Sequence, residues 1–149
     1  MATVEKKTAI VSKIRDEIRQ AFGKVPTWVE AMPPTLLEGF WGTMRDLQLG
    51  ETSIPNKYKE LIGLAVSGAT RCSYCTLFHT EAARLFGATD EEIREAAAMA
   101  AHTMSASTFL NTMAVDHDTF RRETLEAIAY VRSQTPQAQS ASTSSRAHA

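Results

Sequence analysis

The sequence predicts an all-α protein, and three observations support this. Apolar residues recur every three or four positions along most of the chain, which is the spacing of one face of an α-helix. We find no run rich in Val, Ile or Thr that alternates with polar residues as a half-buried strand does. Proline, glycine and capping residues stand at the ends of the periodic segments, where helices begin and end.

The first third of the chain predicts two long helices. The first covers residues 4–22 and ends before Gly23. The proline-bounded segment 25–34 is expected to connect it to the next helix with at most one helical turn of its own. The second helix covers residues 35–48 and ends before Gly50.

Two further helices are predicted in the middle of the chain. Pro55 opens the first of them, since proline prefers the first turn of a helix. Its apolar residues form one stripe, which we expect to face the core: Tyr58, Leu61, Ile62, Ala65, Val66 and Ala69. Thr70 or Arg71 is the expected cap of the next helix, which ends at Gly87. That helix contains the only two cysteines of the chain, Cys72 and Cys75.

Capping residues place the last two helices. Thr89 and Glu92 form a capping box at the start of one. Its continuation, segment 99–113, is rich in small residues and Met, and its pattern does not show where a helix would break. Asp116 or Asp118 is expected to cap the final helix.

Length and charge favour one ordinary globular domain. The 149 residues include 16 Lys and Arg against 17 Asp and Glu, a balance that offers no basic surface for nucleic acid. The N-terminus does not resemble a signal peptide, and no run reaches the roughly 18 apolar residues of a membrane span, so we expect a cytoplasmic protein. We expect residues 1–132 to form a single helical domain and residues 133–149 to form a flexible tail, because the tail lacks large apolar side chains.

The stretch "RCSYCTLFH", residues 71–79, brings reactive side chains together. Cys72, Cys75 and His79 follow one another at spacings of three and four, so one helix face carries all three. In the first turn of a helix, unpaired N–H groups and the helix dipole favour a thiolate. His79 can accept the proton of its neighbour Cys75, so we expect Cys75 to have the lower pKa of the pair.

Three interpretations of this trio stay open on the residues alone. An activated thiol beside a second thiol is suited to reversible disulfide chemistry, with a peroxide or with a partner protein. Zinc would need Cys72, Cys75, His79 and a fourth ligand such as Glu60 or His102, and the chain has no second CxxC and no HxxxH. The third interpretation is a purely structural helical module, although a disulfide closing so short a loop would stabilise it little.

Residues 59–93 resemble the AhpD-like alkylhydroperoxidase domain of the carboxymuconolactone decarboxylase family, and the similarity extends over roughly residues 35–110. The matching motifs are a glutamate twelve residues before the first cysteine, the CxxC itself, a histidine four residues after it, and Gly-Ala-Thr before an acidic helix start. The resemblance implies a single AhpD-like helical domain with the CxxC at the N-terminus of a central helix.

The resemblance also implies a function and a catalytic set. Glu60, Cys72, Cys75 and His79 match the family's relay, with Cys75 reacting with peroxide and Cys72 resolving the product. Tyr74 replaces a histidine that some members carry between the cysteines. The decarboxylases of the family lack the CxxC, so its presence argues against lactone decarboxylation. The expected enzyme is a peroxiredoxin-like thiol peroxidase without metal or organic cofactor.

The expected partners follow from the same resemblance. They are a hydroperoxide substrate, an external dithiol or redox-protein reductant, and other copies of the chain in a trimer or hexamer; nucleic acid and membrane are not expected. Apolar surface on the Trp41–Met44 helix and on the Ala- and Met-rich segment also predicts a homo-oligomer.

The residue type of Glu60 and the family resemblance lead to different expectations about whether its side chain is exposed. On its helix it lies opposite the apolar stripe, alongside Gly63, Leu64 and Ser67, where a glutamate is usually solvated. Gly63 and Ser67 would permit a second helix to pack closely on that face and enclose the carboxylate. With the resemblance added, we expect an enclosed Glu60.

Overall fold

The computed structural model describes residues 2–134 and confirms the all-α prediction for them. No strand occurs in that range, which contains seven α-helices and one π-helical turn. The α-helices are α1 (Ala2–Phe22), α2 (Thr27–Glu30), α3 (Pro34–Thr43), α4 (Asn56–Thr70), α5 (Ser73–Leu85), α6 (Asp90–Thr112) and α7 (His117–Gln134), and the π-turn covers Met44–Leu49. No helix among these is both long and apolar enough to cross a membrane.

The chain divides into two compact units, and the boundary falls inside α6 between His102 and Thr103. The small-residue segment shows no break, since α6 runs through it as one helix. The single domain over residues 1–132 therefore stays a prediction. Helix α7 ends at Gln134, inside the predicted tail, and the rest of that tail lies outside the described residues.

The core of the first unit lies among α1, α2, α3 and the π-turn. Its buried members are Ile14, Ile18, Val29, Leu37, Trp41 and Met44. The indole N–H of Trp41 donates a hydrogen bond to Glu17 over 2.7 Å, so this large side chain is buried with its polar group satisfied. Phe78 of α5 packs against the cluster. Trp41 and Met44 are thus buried within the chain, whereas Leu36 and Leu47 of the same predicted helix are exposed, so the oligomer surface on that helix stays a prediction.

Helix α4 turns a different face inward from the one predicted. Tyr58, Ile62 and Val66 of the apolar stripe are 50%, 53% and 56% exposed. The buried residues of α4 are Glu60, Leu64 and Ser67. The prediction of the core face was wrong because α4 packs against α5 through small residues around a carboxylate, rather than through its large apolar side chains.

The α4–α5 connection fixes where the cysteine helix begins. Arg71 adopts the left-handed conformation at φ 58° and ψ 36°, and the N–H of Cys72 donates to the carbonyl of Ser67 over 3.0 Å. This is the pattern of a Schellman motif, which ends one helix and reverses the chain. Thr70 is therefore the last residue of α4, and the prediction that it caps α5 was wrong; Cys72 is the cap.

Two other predicted caps are confirmed. The backbone N–H of Thr89 donates to the Glu92 carboxylate over 2.8 Å, and the N–H of Glu92 donates to the Thr89 hydroxyl over 3.1 Å. This reciprocal pair is a capping box. The Asp116 carboxylate accepts the N–H of Thr119 over 2.8 Å, so Asp116 rather than Asp118 caps α7.

Candidate active site

Cys72 is held at the start of α5 by its own backbone and side chain. Its Sγ accepts the backbone N–H of Cys75 over 3.3 Å, which makes it the N-cap. Its carbonyl accepts the N–H of Thr76 over 2.9 Å and begins the helix. Both cysteines are free thiols; Cys72 is half-buried and Cys75 is exposed. The first sulfur is thus fixed by the helix start, whereas the second is open to solvent.

The pKa order of the two thiols is the reverse of the one predicted. The Cys75 thiol hydrogen-bonds to the Cys72 sulfur, and this contact lowers the pKa of Cys72 and raises the pKa of Cys75. The N–H of Cys75 also stabilises a Cys72 thiolate, while neighbouring protein atoms that displace some water from the Cys75 sulfur raise the Cys75 pKa further. The prediction failed because the helix begins one or two residues later than a cap at Arg71 or Thr70 would place it, so that Cys72 is its cap.

This pKa order has a direct test in the reduced protein. A lowered pKa gives Cys72 the larger thiolate fraction at any pH below the ordinary thiol pKa, so we expect iodoacetamide to alkylate Cys72 before Cys75 near pH 7. Peptide mapping after brief alkylation across a pH series measures the order.

A pair of variants identifies the cause of the shift. Cys75→Ser keeps a hydroxyl that can donate to Cys72, whereas Cys75→Ala removes the donor. We expect the alkylation of Cys72 to shift toward higher pH in the alanine variant more than in the serine variant. Faster alkylation of Cys75 in the parent would restore the order predicted from the sequence.

The enclosed position of Glu60 is confirmed. The side chain is fully buried, and its Oε2 lies 2.6 Å from Nδ1 of His79, whose side chain is 20% exposed. A carboxylate at this distance favours a proton on Nδ1 of a neutral imidazole. The Nε2 atom is then the free acceptor of the ring. His79 lies one turn after Cys75 on α5, so this acceptor belongs to the same helix as the thiols.

Two small residues of α4 make this contact possible. A Cβ atom added to Gly63 would lie 2.4 Å from Cε1 and 2.5 Å from Nδ1 of His79, so only glycine lets the ring lie against α4. Ser67 is buried, and its hydroxyl donates a hydrogen bond to the carbonyl of Gly63 over 2.6 Å. Close packing of a second helix on this face is therefore confirmed, as the sequence predicted for Gly63 and Ser67.

Gln48 is a contact of this site that the sequence did not predict. Its Nε2 donates to Oε1 of Glu60 over 3.3 Å, so each carboxylate oxygen has one partner. The apolar spacing of residues 35–48 predicts an ordinary α-helix. Such a pattern does not indicate a π-turn, and therefore does not indicate which side chains the turn brings toward Glu60. The only related signal was Gly50, which ends the helix.

The other residues considered from the sequence lie elsewhere. His102 is exposed in α6, and Tyr74, between the cysteines, is 87% exposed. In the part of the chain that the structure describes, no group of three or more His, Cys, Asp or Glu side chains is arranged to hold a metal ion. Glu60, one suggested zinc ligand, uses its two oxygens for Gln48 and His79.

Comparisons with known proteins agree on the type of fold. The family model named "Carboxymuconolactone decarboxylase family" matches residues 34–117. The crystal structure of an alkylhydroperoxidase AhpD core from Rhodospirillum rubrum is similar with a TM-score of 0.66 and 29% identity, over 80% of this chain and 90% of that one.

A protein from Methanobacterium thermoautotrophicum is similar with a TM-score of 0.51 and 34% identity, over 59% of this chain and 97% of that one. No curated protein gives a significant match. The family match spans α3 to the first residue of α7 and therefore includes all four residues of the expected relay.

Proposed function

Because this chain belongs to the carboxymuconolactone decarboxylase family, we propose that its CxxC pair reduces hydroperoxides with the help of the Glu60–His79 pair. The observation that carries the proposal is the buried Glu60 carboxylate, 2.6 Å from an imidazole that follows the exposed Cys75 by one helical turn. A buried carboxylate that orients a histidine beside a thiol is the arrangement that activates a nucleophile. The similarity to an alkylhydroperoxidase AhpD core points to the same chemistry.

The proposed reaction proceeds in three steps, in which Cys75, His79 and Cys72 take part. His79 Nε2 takes the proton of the Cys75 thiol, and the thiolate attacks the distal oxygen of the hydroperoxide. The O–O bond breaks, Cys75 becomes a sulfenic acid, and the leaving alkoxide receives the proton from His79. Cys72 then attacks the Cys75 sulfur, its thiol proton leaves with the hydroxide as water, and a disulfide forms. An external dithiol reduces this disulfide and is itself oxidised.

The reversed pKa order is compatible with these roles. Peroxide reduction needs a base for the thiol and an acid for the leaving alkoxide, and His79 lies one turn from Cys75. The resolving step needs a thiolate that attacks the neighbouring sulfur, and the lowered pKa of Cys72 supplies it. Exposure of Cys75 also leaves the peroxide a path to that sulfur.

A second function is favoured by one observation, the lowered pKa of Cys72 at the helix N-terminus. Such a thiol also suits attack on a disulfide of a partner protein. Stopped-flow oxidation of the reduced protein by several hydroperoxides and disulfides distinguishes the two functions. If the protein is a peroxidase, at least one hydroperoxide oxidises it much faster than the same hydroperoxide oxidises an ordinary free thiol. If it reacts rapidly only with disulfides, it is a thiol–disulfide oxidoreductase.

We also propose that the chain forms a homo-oligomer, in which exposed apolar residues of α6 and α7 are buried. No residue of either helix is buried in the single chain. Their exposed large apolar side chains include Met104, Phe109, Phe120, Leu125 and Ile128. An interface between copies of the chain would remove these apolar side chains from water.

The oligomer is tested by light scattering at micromolar concentration. We expect a mass that is a multiple of 16.4 kDa, with a trimer or hexamer as the proposed state. Leu125→Glu with Ile128→Glu should reduce the mass, because the two side chains lie on one face of α7. Glu126→Lys, which changes an exposed charge on another face of the same helix, is the control. A monomer mass for the parent would refute the proposal.

A further inference from the structure

The Glu60 carboxylate is held from two sides, and only one side has a role in the proposed reaction. Oε2 accepts from Nδ1 of His79 over 2.6 Å, and Oε1 accepts from Nε2 of Gln48 over 3.3 Å. The carboxylate has no exposed surface, so water cannot take the place of either donor without rearrangement. An unpaired oxygen of a buried carboxylate is costly, and the amide of Gln48 prevents that state.

The backbone that carries Gln48 has an unusual conformation. Helix α3 passes into the π-turn Met44–Leu49, a form that is rare and often found at functional sites. Gly50 ends the turn, and a Cβ atom added there would lie 2.7 Å from the carbonyl oxygen of Asp46. Any larger residue at position 50 would thus push the last turn apart, and Gln48 lies in that turn.

The end of the π-turn is also bound directly to the start of α4. The Asn56 side chain donates to the carbonyl of Leu49 over 3.0 Å, and Nζ of Lys59 donates to the carbonyl of Gly50 over 2.6 Å. Lys59 also donates to Oδ1 of Asn56 over 3.0 Å. These bonds satisfy carbonyls at a helix end. Because Glu60 directly follows Lys59, they also set the position of Gln48 relative to Glu60.

We propose that Gln48 is a positioning residue of this site, which rests on the function proposed above. Its amide holds Oε1 of Glu60 so that Oε2 stays on Nδ1 of His79 and the ring keeps Nε2 as its free acceptor. Gln48 acts on the thiols only through its hydrogen bond to Glu60. The two hydrogen bonds from α4 to the carbonyls of Leu49 and Gly50, at the end of the π-turn, keep the amide in place.

The test replaces the amide with a side chain of similar size that cannot donate. We expect Gln48→Leu to slow oxidation of the reduced protein by hydroperoxide about 10-fold, the lower scale at which partners that orient a functional histidine act. Gln20→Leu makes the same change at an exposed position of α1 and should leave the rate unchanged. Thermal unfolding of both variants checks that they fold.

A spectroscopic measurement separates positioning from a merely structural role. Nitrogen-15 spectra of labelled histidine report which ring nitrogen carries the proton, and the His79→Ala variant identifies the signals of His79 among the four histidines. We expect the parent to protonate Nδ1, and Gln48→Leu to mix the two tautomers. An unchanged tautomer and an unchanged rate in Gln48→Leu would overturn the proposal. The tautomer is measured without peroxide, so it tests Gln48 even if the parent proves inert to peroxides.

Gln48→Glu supplies a conservative variant with its own pH signature. A carboxyl group at this position donates to Glu60 only when it carries a proton, because two carboxylates side by side repel each other. We expect the rate of Gln48→Glu, divided by the parent rate at the same pH, to rise as the pH is lowered. A ratio that stays constant with pH would show that the donor is not needed and would also overturn the proposal.

Discussion

Cys75→Ser is expected to abolish rapid oxidation by hydroperoxide, the largest effect of any substitution proposed for this protein. The variant keeps Cys72, whose pKa is lowered and whose thiolate is therefore available. That sulfur is half-buried and accepts the N–H of residue 75 as the helix cap, whereas the proposed base, His79, follows position 75 by one turn. A thiolate without a nearby acid for the leaving alkoxide should react only as an ordinary thiol does.

Cys72→Ser supplies the matched variant. It keeps Cys75 and His79, and serine is itself a good N-cap, so α5 should begin in the same place. We expect it to consume one equivalent of hydroperoxide and then stop, because no thiol is left to resolve the sulfenic acid. Peroxide consumption followed in single-turnover mixing distinguishes the variants. Rapid oxidation of Cys75→Ser would reverse the roles of the two cysteines.

The second large effect is expected from the buried pair. Glu60→Gln and His79→Ala should each slow oxidation by on the order of 10²-fold, the lower range for a general base. The first removes the acceptor that keeps the proton on Nδ1, and the second removes the base. Glu38→Gln, at an exposed position of α3, is the control for the first variant.

The folded state of these variants needs its own measurement. His79→Ala leaves the buried Glu60 without one of its two donors and is therefore expected to lower stability as well. His79→Gln keeps an amide donor but provides no base, so it separates the two effects. We expect it to slow oxidation as much as His79→Ala at higher thermal stability. A Glu60→Gln protein that reacts as fast as the parent would remove the buried carboxylate from the mechanism.

The helices were predictable because their signals are local. Gly23 takes a positive φ after α1, and the capping box of Thr89 and Glu92 forms as its spacing indicates. The inward face of α4 was not predictable from its periodicity. Its large apolar residues are exposed, and its buried face carries Glu60, because the partner of that carboxylate, His79, belongs to another helix.

Two features of the site depend on backbone conformations that the sequence does not signal. Arg71 adopts a left-handed conformation in which glycine is usual, so the helix start at Ser73 and the lowered pKa of Cys72 were missed. The π-turn that brings Gln48 to Glu60 reads in the sequence as ordinary helix. The family resemblance identified Glu60 without knowledge of either backbone conformation, because it depends on the spacing of residues along the chain and not on their contacts.

The central claim is that Cys75 is the sulfur oxidised by peroxide, and the most direct test locates the sulfenic acid. Each single variant, Cys72→Ser and Cys75→Ser, is treated with one equivalent of hydroperoxide in the presence of dimedone and examined by mass spectrometry of its peptides. We expect a dimedone adduct on Cys75 in the first variant and none on Cys72 in the second. An adduct on Cys72, or no adduct in either variant, would contradict the claim.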